Sequence, residues 1–228
     1  MDDSKLEEFQ TVIGYRFKDL KLLKQALTHS SYANELKINK IADYERLEFL
    51  GDAVLEMVSS KALFCVHKDW LEGKLTKQRA AMVCEQSLAF CGRDFGLDKY
   101  IYLGKGEEAS GGRDRDSIIS DVCEALIGAI YLDSDIYSAE NFIHKFILND
   151  LADKELFFDA KSKLQEVAQN LKKELTYNLV GESGPEHDKK FKVRVLMDED
   201  EMGLGEGRTK KAAQQDAAYK TLLMLKGK

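Results

Sequence analysis

The sequence predicts an all-α domain followed by a small α+β module whose elements run helix, strand, strand, strand, helix. Stretches over Leu20–Leu27, Tyr44–His67, Lys74–Phe95, Ser117–Leu132 and Ile136–Leu151 repeat apolar residues at the three- and four-residue spacing of helices. The one proline among the 228 residues is Pro185, so nothing in the first half breaks a helix covalently. Beyond Asp159 the pattern changes to alternation, and the charge changes with it. From there onward 14 Lys and Arg face 12 Asp and Glu, leaving 20 against 28 for the remainder and a net charge of −6 overall. Two domains with different electrostatics are expected: a helical one over 1–152, a linker over 153–158 and the α+β module over 159–228.

Taken in order, "LGKGEEASGGRDRDS" (103–117) is rich in Gly and charge and reads as a loop between helices. "DKELFFDAKSK" (153–163) is the junction. After it, Lys161–Lys173 predicts a short amphipathic helix with Leu164, Val167, Ala168 and Leu171 on one face. "LTYNLVGES" and "FKVRVLMD" alternate as strands do, with the turn "GPEHDKK" between them, and "EMGLGEGRT" is a Gly-rich third strand. The Ala-rich "TKKAAQQDAAYKTLLMLK" closes the chain as a helix.

Composition narrows the function classes. Hydrophobic residues make up 44% and charged residues 32%, as in ordinary globular proteins. The apolar run Ala125–Leu132 is too short to cross a bilayer, and "MDDSKLEEFQ" lacks the form of a secretory signal. Cys65, Cys84, Cys91 and Cys123 have no CxxC spacing, which argues against a zinc site and fits free thiols in the cytoplasm. No membrane and no nucleotide cofactor are expected.

Two helices carry misplaced acids. In "DYERLEFLGDAVLEMVSS" (43–60), Glu45, Glu48, Asp52 and Glu56 fall on one face with no basic residue one turn away. In "DSIISDVCEALIGAIYLD" (116–133), Asp121 and Glu124 are neighbours on a helix that is apolar nearly all round and therefore expected to be buried. A glutamate stripe also describes a solvated face, and carboxylates also cap neighbouring helices. Burial among Ile118, Ile119, Val122, Leu126 and Ile127 instead calls for a partner, and packing the two helices together would make an all-oxygen cluster suited to Mg²⁺. Gly51 and Gly128 sit mid-helix, where close approach of two helices or of two subunits would offset their cost of up to about 1 kcal/mol each against Ala.

"ERLEFLGDAVL" (45–55) closely resembles the signature of the ribonuclease III family, and "SDVCEALIGAIYLD" (120–133) resembles its second acidic motif. "ALTHSSYANE" (26–35), "EGKLTKQRA" (72–80) and "LGKGEEASGGR" (103–113) also match, in the order seen in bacterial enzymes with a C-terminal double-stranded-RNA-binding domain. The resemblance implies a homodimeric endoribonuclease that cuts double-stranded RNA with Mg²⁺, or Mn²⁺ in its place, leaving 5′-phosphate and 3′-hydroxyl ends. Ribosomal RNA precursors, transfer and messenger RNAs and other structured RNAs are the implied substrates. By position, Glu48, Asp52, Asp121 and Glu124 are the metal ligands, Asp52 and Glu124 the leading catalytic pair, and Glu45 and Glu72 supporting acids. The other class in play is a non-catalytic double-stranded-RNA-binding regulator, which the intact carboxylates disfavour.

In the C-terminal module, Lys210 and Lys211 open the last helix, where its dipole would prefer acids, and so form a candidate phosphate clamp. Ser162 and Gln165 on the first helix and His187 in the "GPEHDKK" loop match the family's minor-groove contacts. The acidic "DEDE" (198–201) should lie at the hairpin end turned away from RNA. His29, His67 and His144 stand singly, without ligand spacing, and read as structural or exposed.

Overall fold

The computed structural model describes residues 3–35, 42–149, 160–183, 189–207 and 209–226. The chain divides into two compact units, Met1–Asn149 and Asp150–Lys228. The expected linker, 153–158, lies outside the described residues.

The first unit is helical: α1 (Asp3–Ile13), α2 (Leu20–Ala26), α3 (Ser30–Glu35), α4 (Glu45–Val66), α5 (Glu72–Met82), α6 (Glu85–Asp94), α7 (Lys105–Ala109), α8 (Asp116–Asp133) and α9 (Ile136–Phe146). Its axis is α8, buried at Ile118 through Ser120, at Val122 and Cys123, and from Ala125 to Ile130. That explains a helix apolar all round: other helices cover it on several sides. The deepest contact is with α4. A Cβ placed on Gly51 would come within 1.8 Å of the Glu124 carbonyl oxygen, and one on Gly128 within 2.3 Å of that of Leu47. The two glycines therefore serve a helix-to-helix approach within one chain.

The stretch Lys74–Phe95, expected as one periodic segment, is two helices. The chain turns at Val83 and Cys84, where Cys84 is extended (φ −70°, ψ 158°). The Ser87 hydroxyl donates to the carbonyl of Ala81 at 2.6 Å, closing the corner. The turn lets α6 lay Leu88, Ala89, Cys91 and Gly92 inward, and Gly92 approaches Ile119 so closely that a Cβ would stand 2.6 Å from its Cγ2. The segment expected as the loop 103–117 contains α7 and a 3₁₀ turn at Gly112–Asp114. It is stapled by Arg113–Glu108 at 2.6 Å, Arg115–Glu107 at 2.7 Å and Arg93–Asp116 at 2.5 Å.

The second unit follows the expected order: α10 (Ala160–Asn170), β1 (Leu175–Ser183), β2 (Lys190–Met197), β3 (Asp200–Gly207) and α11 (Lys210–Lys226). The strands form an antiparallel sheet in the order β1-β2-β3. Leu164 and Ala168 of α10, Val193, Val195 and Met197 of β2, and Ala213, Ala217 and Leu222 of α11 make its core. Leu171, expected on the apolar face of α10, is 56% exposed because the helix ends at Asn170 and the chain turns away through Lys172, which has φ +57°. The glycines of β3 do more than loosen a strand. Cβ atoms on Gly203, Gly205 and Gly207 would strike α11, with Gly205 meeting the Ala217 nitrogen at 2.1 Å.

Candidate functional site

The α4–α8 contact brings the two acidic motifs together. Glu48, Asp121 and Glu124 are half-buried and Asp52 is exposed beside them. Burial, then the charges of Asp52, Glu48 and Asp121, push the Glu124 carboxyl up to about 8. Burial, then Asp121, Glu45 and Asp52, push Glu48 up to about 7. Asp121 is raised too, by burial and by the charges of Glu85 and Glu45, against the opposing pull of a Tyr44 hydrogen bond and of His29. The four carboxylates thus act on one another, and no Lys or Arg is among the causes of these three shifts. Glu56, the last acid of the α4 stripe, is different: Arg79 of α5 pairs with it at 3.1 Å.

Such a set of hard oxygen donors, short of positive charge, fits a divalent cation such as Mg²⁺. The fit is one of charge and donor type. Among the described residues, no three His, Cys, Asp or Glu side chains are already gathered about one point as a closed metal cage. Glu45 joins the cluster through its charge on Glu48 and Asp121. Glu72 does not. It opens α5, its carboxylate accepts from the Thr76 hydroxyl at 2.9 Å, and it borders a hollow with Ser60, Lys61, Leu63 and Phe64.

Tyr44 and Glu85 were not singled out by the sequence, and His29 was read as a lone histidine. Tyr44 is 4% exposed, and its hydroxyl donates to Asp121 Oδ2 at 3.2 Å. The His29 ring lies 5.7 Å from the Tyr44 ring, and its Nδ1 accepts from the Ser31 amide at 3.1 Å. "ALTHSSYANE" contains His29, but its charge effect on Asp121 and its place beside Tyr44 come from the tertiary fold, which no local pattern reveals.

In the second unit, Ser162 and Gln165 are exposed on α10, and Lys210 and Lys211 are exposed in the first turn of α11. His187 lies outside the described residues. The α11 start is not bare, since the Thr209 hydroxyl oxygen accepts the Ala212 amide at 3.0 Å. Lys210 stands 3.7 Å from Glu182, which also holds Lys189 at 3.2 Å. The acidic hairpin turn at Asp198 and Glu199 is at the other end of the sheet: Leu175 pairs with Met197 there, whereas Ser183 pairs with Lys190 at the Lys210 end.

Comparison with known proteins gives this arrangement its context. Residues 19–151 match the family model for ribonuclease-III-like domains, and residues 160–225 match the double-stranded RNA binding motif. A protein of Enterococcus faecalis named Ribonuclease 3 is 47% identical over 226 residues, covering 97% of this chain and 98% of its own. One of the same name from Listeria welshimeri is 46% identical over 215 residues, covering 93% and 94%. Among solved structures, the nuclease domain of ribonuclease III from Campylobacter jejuni, described for flexibility in a region involved in dimer formation, is 40% identical with a TM-score of 0.58. It covers 62% of this chain and 95% of that domain.

Proposed function

We propose that this chain, which belongs to the ribonuclease III family, carries a double-stranded RNA binding motif and is an endoribonuclease of double-stranded RNA, uses Glu48, Asp52, Asp121 and Glu124 to hold the divalent cation on which its cleavage depends. The observation that carries this reading is the α4–α8 pairing, which forces carboxylates together with no Lys or Arg paired to them among the described residues. Mg²⁺ is the cation proposed, with Mn²⁺ able to replace it, because both take oxygen ligands in this setting. When bound, such a cation supplies Lewis acidity toward a phosphoryl oxygen and makes water a nucleophile near neutral pH.

The protein's own share is positional. Glu124, anchored in buried α8, and Asp52, exposed on α4, face the same space and are the leading pair. Glu48 and Asp121 complete the anionic surface, and Glu45 adds charge from the start of α4. Hydrolysis leaves 5′-phosphate and 3′-hydroxyl ends. Lys210 and Lys211 hold phosphates, while Ser162, Gln165 and His187 face a minor groove, so the module reads duplex shape over about sixteen base pairs. Precursors of ribosomal RNA and other structured RNAs are the proposed cellular substrates, in the cytoplasm.

A homodimer is part of the proposal. Phe49 is 82% exposed, Phe64 71% and Met57 52%, all on α4. Apolar side chains in such number on one element fit cover by a second copy. The test of function is incubation of a long RNA duplex with Mg²⁺, Mn²⁺, Ca²⁺ or EDTA, for wild type and Glu124→Gln. Cleavage with Mg²⁺ and Mn²⁺ that the substitution abolishes, with duplex binding intact, is expected. Duplex binding without cleavage under any metal would favour a regulator, and unimpaired cleavage by Glu124→Gln would remove the cluster from the reaction.

A further inference from the structure

We propose that Tyr44 is a positioning residue for the metal site, its hydroxyl fixing the Asp121 carboxylate in the orientation that receives the cation. The inference rests on the metal reading of the cluster given above. Tyr44 joins the start of α4 to the Asp121 side chain of α8. Its carbonyl accepts the amides of Leu47 at 2.8 Å and Glu48 at 2.9 Å, which starts α4 and sets where Glu48 begins. Its amide donates to the carbonyl of Thr28 at 2.9 Å, so its backbone is pinned from the other side as well. From that fixed base a ring only 4% exposed reaches across to α8, where the hydroxyl meets Asp121 Oδ2 at 3.2 Å.

A hydroxyl that engages one carboxylate oxygen restricts the side-chain torsions and so holds the Asp121 carboxylate in one orientation. Hydrogen bonds to metal-ligating carboxylates act in this way, and their loss typically weakens metal binding by about 10- to 100-fold. A purely structural tie between the helices is the competing role. The helices do not need one there, because Gly51 and Gly128 already bring their backbones into contact.

Tyr44→Phe removes the hydroxyl and keeps the ring. Mn²⁺ binding without RNA, followed by the electron paramagnetic resonance of the free ion, is expected to weaken by about tenfold. The metal-free melting temperature should stay within about 2 °C of wild type, while the rise that Mn²⁺ produces should shrink. The Mg²⁺ midpoint for cleavage should move up by a similar factor, with the rate recovered at saturating Mg²⁺. In an Asp121→Asn background the same change should have no further effect on Mn²⁺ binding.

Unchanged Mn²⁺ binding by Tyr44→Phe overturns the proposal. So does a loss in the metal-free melting temperature with an undiminished Mn²⁺-induced rise, or an effect that persists at full size in Asp121→Asn. These failures leave the metal reading standing if Glu124→Gln still abolishes cleavage. If wild type binds no Mn²⁺, both fall together.

Discussion

Glycine 51 has no room for a single methyl group. The Cβ of an alanine would sit 1.8 Å from the Glu124 carbonyl oxygen, which belongs to backbone and cannot swing aside as a flexible side chain could. Gly51→Ala should therefore pry α4 from α8, at about 2–3 kcal/mol in denaturant unfolding, and should cost cleavage beyond what the lost stability explains. The carboxylates make a second prediction, on pH. Glu48 and Glu124 rise from the ordinary 4.5 to about 7 and about 8, so between 4.5 and 8 the folded chain holds protons that the unfolded chain has lost. Their contribution to stability is fully present below pH 4.5 and fades as pH rises through 7 and 8. Asp133 works in the opposite sense at lower pH. Burial raises it, but the amides of Asp19 and Lys18 and the Tyr15 hydroxyl outweigh that and hold it below its usual value. The metal-free melting temperature should thus fall from pH 6 to pH 8.5, and millimolar Mg²⁺ should reverse most of the fall at the alkaline end. Glu124→Gln should flatten the profile, and a melting temperature that climbs over this range in metal-free wild type would contradict the assignment.

At the level of helices and strands, the start of α11 carries the clearest prediction. Lys210→Ala with Lys211→Ala removes the two proposed phosphate contacts, so the slope of log affinity against log salt should fall by about one to two units, similarly for duplexes of different sequence. Fluorescence anisotropy at several salt concentrations measures it, and an unchanged slope would deny the clamp. Glu182, 3.7 Å from Lys210 and 3.2 Å from Lys189, would compete with phosphate for Lys210 in the proposed clamp. Glu182→Gln should therefore tighten binding a few-fold at low salt. Much of this scale was legible in the sequence. The spans of α4, β1 and the terminal helix follow from periodicity, and the burial of α8 from its being apolar nearly all round. The corner at Val83–Cys84 was not legible, since neither Gly nor Pro marks it and its reason is the packing of α6 on α8. Helix α1 lies outside the predicted periodic segments, although Leu6, Phe9 and Ile13 are buried at helical spacing. The cluster was legible as four carboxylates on two helices, whereas Tyr44, His29 and Glu85 join it only through the tertiary fold. Even Gly51, readable as a sign of close approach, could not say whether the neighbour was a helix or a second subunit.

For the whole molecule, the proposed dimer sets the outcome on a duplex. A duplex has two strands of opposite polarity, and two-fold symmetry presents the same cluster twice in opposite orientation. Differently tagged wild-type and Glu124→Gln chains, co-expressed and purified as the mixed dimer, should nick one strand of a short duplex early in the reaction and leave the other intact. Cutting of both strands in one encounter would refute one site per strand, and failure to dimerise at micromolar concentration would refute the symmetric reading. Phe49→Asp, on the exposed side of α4, should shift sedimentation toward the monomer while the metal-free fold of each chain persists. The burial of α8 has a consequence in time as well. From Ile118 to Ile130, only Asp121 and Glu124 are not fully buried. Amide hydrogens along that stretch should exchange with solvent only when the whole unit opens, not by local fraying. Pulse-labelled exchange should show them protected to the same limit as the most stable part of the fold. The two acids they carry then keep their places for as long as the domain stays folded, and heat should inactivate the nuclease in one step with unfolding rather than ahead of it.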